Sequence, residues 1–306
     1  MSGPASAAPS DEPAVGASTT DYEQLLDDAR RLAPAERDAR FRHLERQWQE
    51  EVGRHLLDVP HGAAGSRAVF AHQFGYVIDE IDFERGGFLV EVGCGKGHFL
   101  AEVGARCGSS GPTPVGIDLS RAVQDLPAKG LAGLRADGEA LPFRDGSVSS
   151  VIYDGALHHL IDFRAALRTA HRILEPGGRI LIFEPVSSPF TRLVHRVLDP
   201  IVFRKVMYES PIDQEYKDYF HEQVILDALR ELGMEPSARR SDFLAYPLTG
   251  CYAGSAFGRS ERLMKALLAV ESWMMRVPVL RSLAAALCWR VLIVARKADT
   301  DAGTAP

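Results

Sequence analysis

Phe88-Leu-Val-Glu-Val-Gly-Cys-Gly-Lys-Gly-His-Phe99 decides the fold of this 306-residue chain. The apolar run Phe88–Val92 leads directly into glycines at 93, 95 and 97, the pattern of a buried strand entering a tight turn. His98–Arg106 then reads as a helix. Glycines at such a junction allow positive φ and let a ligand approach the backbone closely. Twenty-one residues after Gly97 comes Asp118, at the end of a second predicted strand, Val115–Asp118. A carboxylate there can accept both hydroxyls of a ribose.

Downstream the alternation continues. Ser120 is a plausible N-cap. Leu131–Ala136 and Val148–Asp154 read as strands, Ile161–Leu174 as a helix stopped by Glu175-Pro-Gly-Gly178, and Arg179–Phe183 as a fifth strand. Strands alternating with helices imply an α/β fold, a parallel sheet covered on both faces, with ligands bound beyond the carboxyl ends of the strands. After Glu184 the pattern predicts a helix over His221–Leu232, a strand over Asp242–Tyr246, a helix over Glu261–Leu287 broken near Pro278, and a final strand over Cys288–Ala295. A helical insertion is therefore expected at about residues 255–287. Upstream, residues 21–57 read as helical with a break at Pro34, and Phe41, Leu44, Trp48, Val52 and Leu56 form one apolar stripe. Residues 66–80 suggest another helix. The expected plan is a disordered leader (1–20) rich in Ala, Ser, Pro and Gly, a helical cap (21–85), the α/β domain (86–297) and a disordered tail (298–306).

Composition narrows the function. Apolar residues make up 46% of the chain, enough for a sizeable core, and the formal net charge of −6 carries no general footprint for nucleic acid. Cys94, Cys107, Cys251 and Cys288 form neither a zinc pattern nor a disulfide framework, which fits a reducing cytoplasm. The first twenty residues lack the basic start and apolar segment of a secretory signal. No run of about 18 apolar residues is present, so no membrane span is expected.

Two cofactor classes use a glycine loop followed by an acidic strand end. A dinucleotide needs G-x-G-x-x-G or Ala, and His98 stands at that third position. The observed G-x-G-x-G preceded by Glu91 instead resembles motif I of the class I S-adenosylmethionine-dependent methyltransferases. Further stretches resemble the ubiquinone-biosynthesis-like, type 11 branch of that family: Ala136-Asp-Gly138 with Glu139-Ala-Leu-Pro-Phe-Arg-Asp-Gly-Ser-Val148, Tyr153-Asp-Gly-Ala-Leu-His-His-Leu160, and Arg172-Ile-Leu-Glu-Pro-Gly-Gly-Arg-Ile180. The likeness spans roughly residues 86–185. It implies a Rossmann-like, seven-stranded, mostly parallel sheet and S-adenosyl-L-methionine as cofactor. It also implies that Glu91, Gly93, Cys94, Gly95 and Gly97 frame the methionine part, Asp118 takes the ribose, and Leu119 packs beside the adenine. By the same resemblance Asp137 and Gly138 hold the adenine edge, and Asp154 and Gly155 open onto the sulfonium.

Methyl transfer from a sulfonium is an in-line displacement that needs alignment above all, with a base only where the acceptor must lose a proton. His158 and His159, just beyond strand four, are the candidate bases, because imidazole titrates near neutral pH. Glu184, ending strand five, is a candidate base or orienter, and His221 with Tyr216 and Tyr219 a weaker candidate for the pocket wall. No carboxylate cluster suits a hard metal ion. The expected activity is methylation of a small molecule, most simply at oxygen, on a natural-product, quinone or isoprenoid-like acceptor. A nicotinamide-dependent oxidoreductase and a non-catalytic partner subunit stay open as alternatives.

Residues 259–297 hold eight Lys or Arg against two acidic residues, and Leu263, Ala266, Leu267, Val270, Met274 and Val277 form one helical stripe. That segment reads as a core-facing helix with a solvated basic face, as a lid over a lipophilic substrate, or as a helix resting on an anionic membrane surface.

Overall fold

The computed structural model describes residues 19–50, 62–185, 191, 193, 221–249 and 255–299. Most of the leader expected over 1–20, the tail from residue 300, and Val52, Leu56, Tyr216, Tyr219 and Cys251 lie outside them. Among the described residues the central feature is a seven-stranded sheet in the order β3-β2-β1-β4-β5-β7-β6. Its strands are β1 (Phe88–Val92), β2 (Thr113–Asp118), β3 (Ala132–Arg135), β4 (Val148–Asp154), β5 (Leu174–Pro185), β6 (Glu235–Ser241) and β7 (Arg290–Arg296). The first five pair in parallel, and β7 runs antiparallel to both β5 and β6. Strand order reverses between β1 and β4, which opens the crevice where ligands bind in such sheets.

The central strands are apolar because both faces are covered. Residues 148–153 of β4 are buried throughout, and the two serines among them are accommodated where Ser149 Oγ donates to Phe88 O at 3.0 Å. The helices α1 (Thr19–Arg30) and α2 (Pro34–Trp48) pack on each other and against Ile161 through Leu26, Ala29, Phe41 and Leu44, whereas α3 (Ala64–Ile78) and α4 (His98–Gly104) cover one face of the sheet. Of these, α3 and α4 supply Phe74, Val77, Phe99 and Val103 to a core with Leu89, Ile152, Leu181 and Phe183. On the other face lie α5 (Phe163–Ile173) and α6 (Glu222–Glu231). Ala166, Leu167, Ala170 and Ile173 of α5 point inward at helical spacing, and Asp162 caps the helix by accepting from Ala165 N at 2.8 Å.

Pro34 opens α2 as its first helical residue, so the predicted break is a helix start. Ser120 caps a short 3-10 turn, accepting from Ala122 N at 3.3 Å, in place of a longer helix. The fifth strand begins at Leu174: β4 pairs Val148 with Leu174 and then Ser150 with Arg179, so Glu175–Gly178 forms an irregularity inside the ladder, with Gly177 at φ 73°.

The strand expected over Asp242–Tyr246 is corrected. Strand β6 lies one segment earlier and is followed by a helical turn, α7 (Ala245–Leu248). Asp242 sits at φ 64° and ends the extended chain. Glu271 then accepts from the backbone N–H groups of Phe243, Leu244 and Ala245 at 2.7, 3.1 and 3.0 Å, which fixes the turn.

Between β6 and β7 come α8 (Glu261–Arg276) and α9 (Pro278–Leu287), the expected helical pair divided at Pro278. Since β6 ends and β7 begins at the carboxyl edge of the parallel strands, the pair sits at that edge. Helix α8 packs on α3 through Val69, Phe70, Met264 and Leu268 with Tyr246 and Trp289. The approach is close because residue 65 is glycine: a Cβ there would lie 2.5 Å from Gly258 O and 2.8 Å from Ser260 O. Gly65→Val should therefore lower the unfolding free energy by about 1–3 kcal/mol. A urea titration checks this, and an unchanged midpoint would mean that the helices separate at no cost.

Candidate functional site

Buried strand β1 delivers the glycine loop to the carboxyl edge. The N–H groups of Gly93 and Cys94 both donate to Ile117 O of β2, at 2.8 and 3.1 Å. Gly93, Gly95 and Gly97 all have positive φ (75°, 48° and 71°), the backbone state that disfavours side chains. A Cβ on Gly93 would also meet Ala156 Cβ at 2.5 Å, so the turn after β4 closes directly on the loop. Cys94 points down, packed where Gly116 leaves room, and burial raises its thiol pKa, so only its backbone faces the loop.

Asp118 ties the loop to its own turn. One carboxylate oxygen accepts from Gly95 N at 2.7 Å and the other from Ser120 N at 2.8 Å. Leu119 is half-buried, and its carbonyl accepts from Arg135 Nε at 2.9 Å. Asp137 accepts from Glu139 N at 2.9 Å, and Gly138 is buried against Val92 and Leu160. Each residue that the resemblance assigns to the nucleoside thus stands at the end of β2 or in the loops after β2 and β3, on the same edge as the glycine loop.

Glu91 is the most costly group of the site. It is buried at the end of β1, its Oε2 has no hydrogen-bond partner, and its carboxyl pKa is raised well above the usual range. Desolvation is the main cause, followed by the like charges of Asp154 and Asp118, with Leu100 N–H acting in opposition. An unpartnered buried acceptor beside a glycine cradle fits a ligand carrying an ammonium group.

Asp154 ends β4 and meets Arg290 of β7 at 2.7 Å, with both side chains largely buried. Arg290 also donates to Phe183 O at 2.7 Å and lies over the Phe183 ring, 4.0 Å from its centroid. Burial raises the Asp154 pKa even against this guanidinium. Gly155, at φ 63°, turns the chain out of β4 and donates to Phe183 O at 2.9 Å.

The turn after β4 holds both candidate histidines. Glu184 is wholly buried, away from any pocket rim. It accepts from Ala156 N at 2.9 Å and Leu157 N at 2.6 Å with one oxygen, and contacts His158 Nδ1 at 2.6 Å with the other. His159 Nδ1 lies 3.1 Å from Glu45 Oε1 on α2, and the two imidazoles are 4.1 Å apart between centroids. Sequence reasoning missed Glu45 and Arg290. The available signals were an acid beside the apolar stripe of α2 and an arginine opening an apolar strand. His221, exposed at the start of α6, is not joined to this cluster by any described contact. Among the described residues no group of three or more His, Cys, Asp or Glu could hold a metal ion.

Because the Glu91 pKa is raised on folding, the folded chain keeps a proton that the unfolded chain releases above about pH 4.3. The contribution of Glu91 to stability is therefore lost as pH rises from that value toward its folded pKa. Glu91→Gln, which mimics the protonated acid, should match the parent below about pH 4 and exceed it by about 1 kcal/mol at pH 7. Denaturant titrations at both pH values check this; an equal difference at the two would remove Glu91 ionisation as the cause.

Residues 90–182 match the family described as "Methyltransferase domain". The chain is 31% identical over 133 residues to a ubiquinone/menaquinone biosynthesis C-methyltransferase of Idiomarina loihiensis, covering 40% of this chain and 52% of that one. It is 27% identical over 153 residues to a demethylmenaquinone methyltransferase of Staphylococcus epidermidis, covering 46% and 63%. The chain thus spans only part, well under two thirds in most cases, of the curated relatives it matches. In fold it resembles a crystal structure of an S-adenosylmethionine-dependent methyltransferase from Thermotoga maritima, with a TM-score of 0.50 at 18% identity over 83% of this chain and 99% of that one. The glycine loop, the acidic ends of β1 and β2 and the post-β4 turn all fall within the matched segment, and residues 90–182 are accordingly a methyltransferase domain, similar to the class I S-adenosylmethionine-dependent enzymes of the type 11 branch.

Proposed function

We propose that the chain transfers the methyl group of S-adenosylmethionine to a small-molecule acceptor, at an oxygen of a natural-product, quinone or isoprenoid-like compound. The observation that carries this reading is the His158–Glu184 contact beside the end of β4. With Nδ1 oriented by the buried Glu184, Nε2 of His158 would be the nitrogen that takes a proton from an acceptor hydroxyl. Glu184 acts as a positioning residue, because burial keeps it from substrate. His159, steadied by Glu45, forms the adjacent wall.

The donor fits the residues present. Glu91 Oε2 would receive the ammonium of its methionine part, over a cradle made by Gly93, the Cys94 backbone, Gly95 and Gly97. Asp118 keeps a lone pair on each carboxylate oxygen for the ribose hydroxyls beyond its two backbone partners. Leu119, Asp137 and Gly138 would border the adenine, with Asp154 and Gly155 nearest the sulfonium. When bound, the donor supplies an activated methyl on a good leaving group, so the protein's own task is alignment and removal of the acceptor's proton.

The names of the two curated relatives favour a second reading of the acceptor atom, a ring carbon of a quinol-like compound. His158 would serve that reaction equally, since the ring must also lose a proton. We place the activity in the cytoplasm and in secondary metabolism as part of the same proposal. Among the described residues no helix is long and apolar enough to cross a membrane.

Calorimetric titration with S-adenosylmethionine, S-adenosylhomocysteine and NADH tests the cofactor. The expected result is binding of the first two alone; NADH binding alone would sink the proposal. Once an acceptor is found, His158→Ala should lower kcat by about 10²–10⁴ while the donor Kd changes less than about twofold. Glu184→Gln should give a smaller kcat loss of the same kind. Undiminished turnover in His158→Ala would return that histidine to a structural role.

A further inference from the structure

The helical pair α8–α9 presents several large apolar residues to solvent. In α8 the buried positions are Met264, Leu268 and Glu271, a narrow strip facing α3 and α7. Leu263, Ala266, Val270 and Trp273 recur at steps of three or four residues on an exposed face, with Trp273 58% exposed. Helix α9 repeats the pattern: Ala284 is buried, while Val279, Leu283 and Ala286 stand outward, the first two 79% and 57% exposed. Of the expected stripe, Leu263, Ala266 and Val270 are thus exposed while Leu267, Met274 and Val277 are half-buried, and the adjacent α9 also carries outward apolar residues.

Cations flank this face. Arg259, Arg262, Arg276 and Arg281 are exposed around it, whereas the acids of the pair are occupied: Glu261 meets Lys265 at 2.7 Å, and Glu271 is buried on three backbone N–H groups. The positive charge is local, since the chain as a whole carries −6. Large apolar side chains left exposed beside a set of cations mark a candidate contact surface.

We propose that α8–α9 is a docking face for an anionic lipid bilayer. The apolar stripes would enter the boundary between headgroups and acyl chains, and the arginines would meet lipid phosphates. Charge decides against a second copy of the chain, because a two-fold interface sets a patch against itself and would oppose these arginines to one another. The insertion lies at the carboxyl edge of the sheet, the edge that carries the glycine loop and His158. Docking would therefore bring the acceptor side of the site to the membrane surface. The proposal goes beyond the methyltransferase reading and stands without it.

The test uses the full chain with vesicles of phosphatidylcholine alone or with about 30 mol % phosphatidylglycerol. Co-sedimentation with the anionic vesicles should exceed that with neutral ones by at least about tenfold and weaken with salt. Trp48 and Trp289 are buried, so a blue shift of tryptophan emission on binding would report Trp273. The triple variant Arg262→Glu/Arg276→Glu/Arg281→Glu should bind both vesicles alike, and Val279→Ser/Leu283→Ser should lose binding at high salt. These positions are exposed, and unchanged thermal unfolding would establish that the variants fold. Equal binding of the parent to both vesicles, or undiminished binding of the triple variant, overturns the proposal. A concentration-dependent dimer dispersed by Val279→Ser/Leu283→Ser would overturn it in favour of a second copy. S-adenosylhomocysteine titrations of the same variants read the methyltransferase site separately.

Discussion

A single guanidinium joins the parts of this molecule that must meet at one edge. Arg290 opens β7, yet its charge is spent on β4 through Asp154 and on β5 through the carbonyl and ring of Phe183. Three adjacent strands are thereby fixed at their ligand-binding ends, at the point where the helical insertion returns to the sheet. A buried pair of this kind adds little net stability, but loss of either partner leaves a charge in a low-dielectric interior. Its value lies in placement. Gly155 leaves β4 beside this arginine, and the turn that carries both histidines starts there.

From that fixed point a second buried acidic side chain works outward. Glu184 spends one oxygen on two backbone N–H groups and the other on His158, so the turn's conformation and the imidazole's orientation share one anchor. Helix α2 adds Glu45 to His159 and Arg42 to Glu139, whose carboxylate also accepts from Asp162 N. The N-terminal helices are thus wired to the loops after β3 and β4 and form part of the site's frame. The acids of the cofactor side are arranged in the opposite sense, with Glu91 held close to Asp118 and Asp154 and left without a partner for Oε2.

Much of this was legible in the sequence because its causes are local. The glycine loop, the strand before it and Asp118 are specified within about thirty residues, by periodicity and by backbone states that only glycine adopts easily. Strand β6 was not legible. Its residues Glu235-Pro-Ser-Ala-Arg-Arg-Ser241 lack apolar alternation, and they extend because β7 offers an unpaired edge. Periodicity predicted α8 but not which side it buries, since Met264 and Leu268 meet α3 through a tertiary contact made close by Gly65. Glu184 was recognisable as a candidate, whereas its contact with His158 arises from the parallel pairing of β4 with β5, twenty-six residues apart in the chain. Glu45 and Arg290 reach the site through tertiary packing that no short-range pattern encodes.

The matched segment, residues 90–182, contains His158 and His159 but none of Glu184, Glu45 and Arg290. On the proposed reading, the matched stretch would carry the imidazole that takes the proton, while its aim would be supplied by flanking chain. On that reading such a division would let the flanks diverge, re-aiming the imidazole toward differently shaped acceptors around an unchanged glycine loop. Diversification of this scaffold then becomes a matter of exchanging the frame around a constant centre.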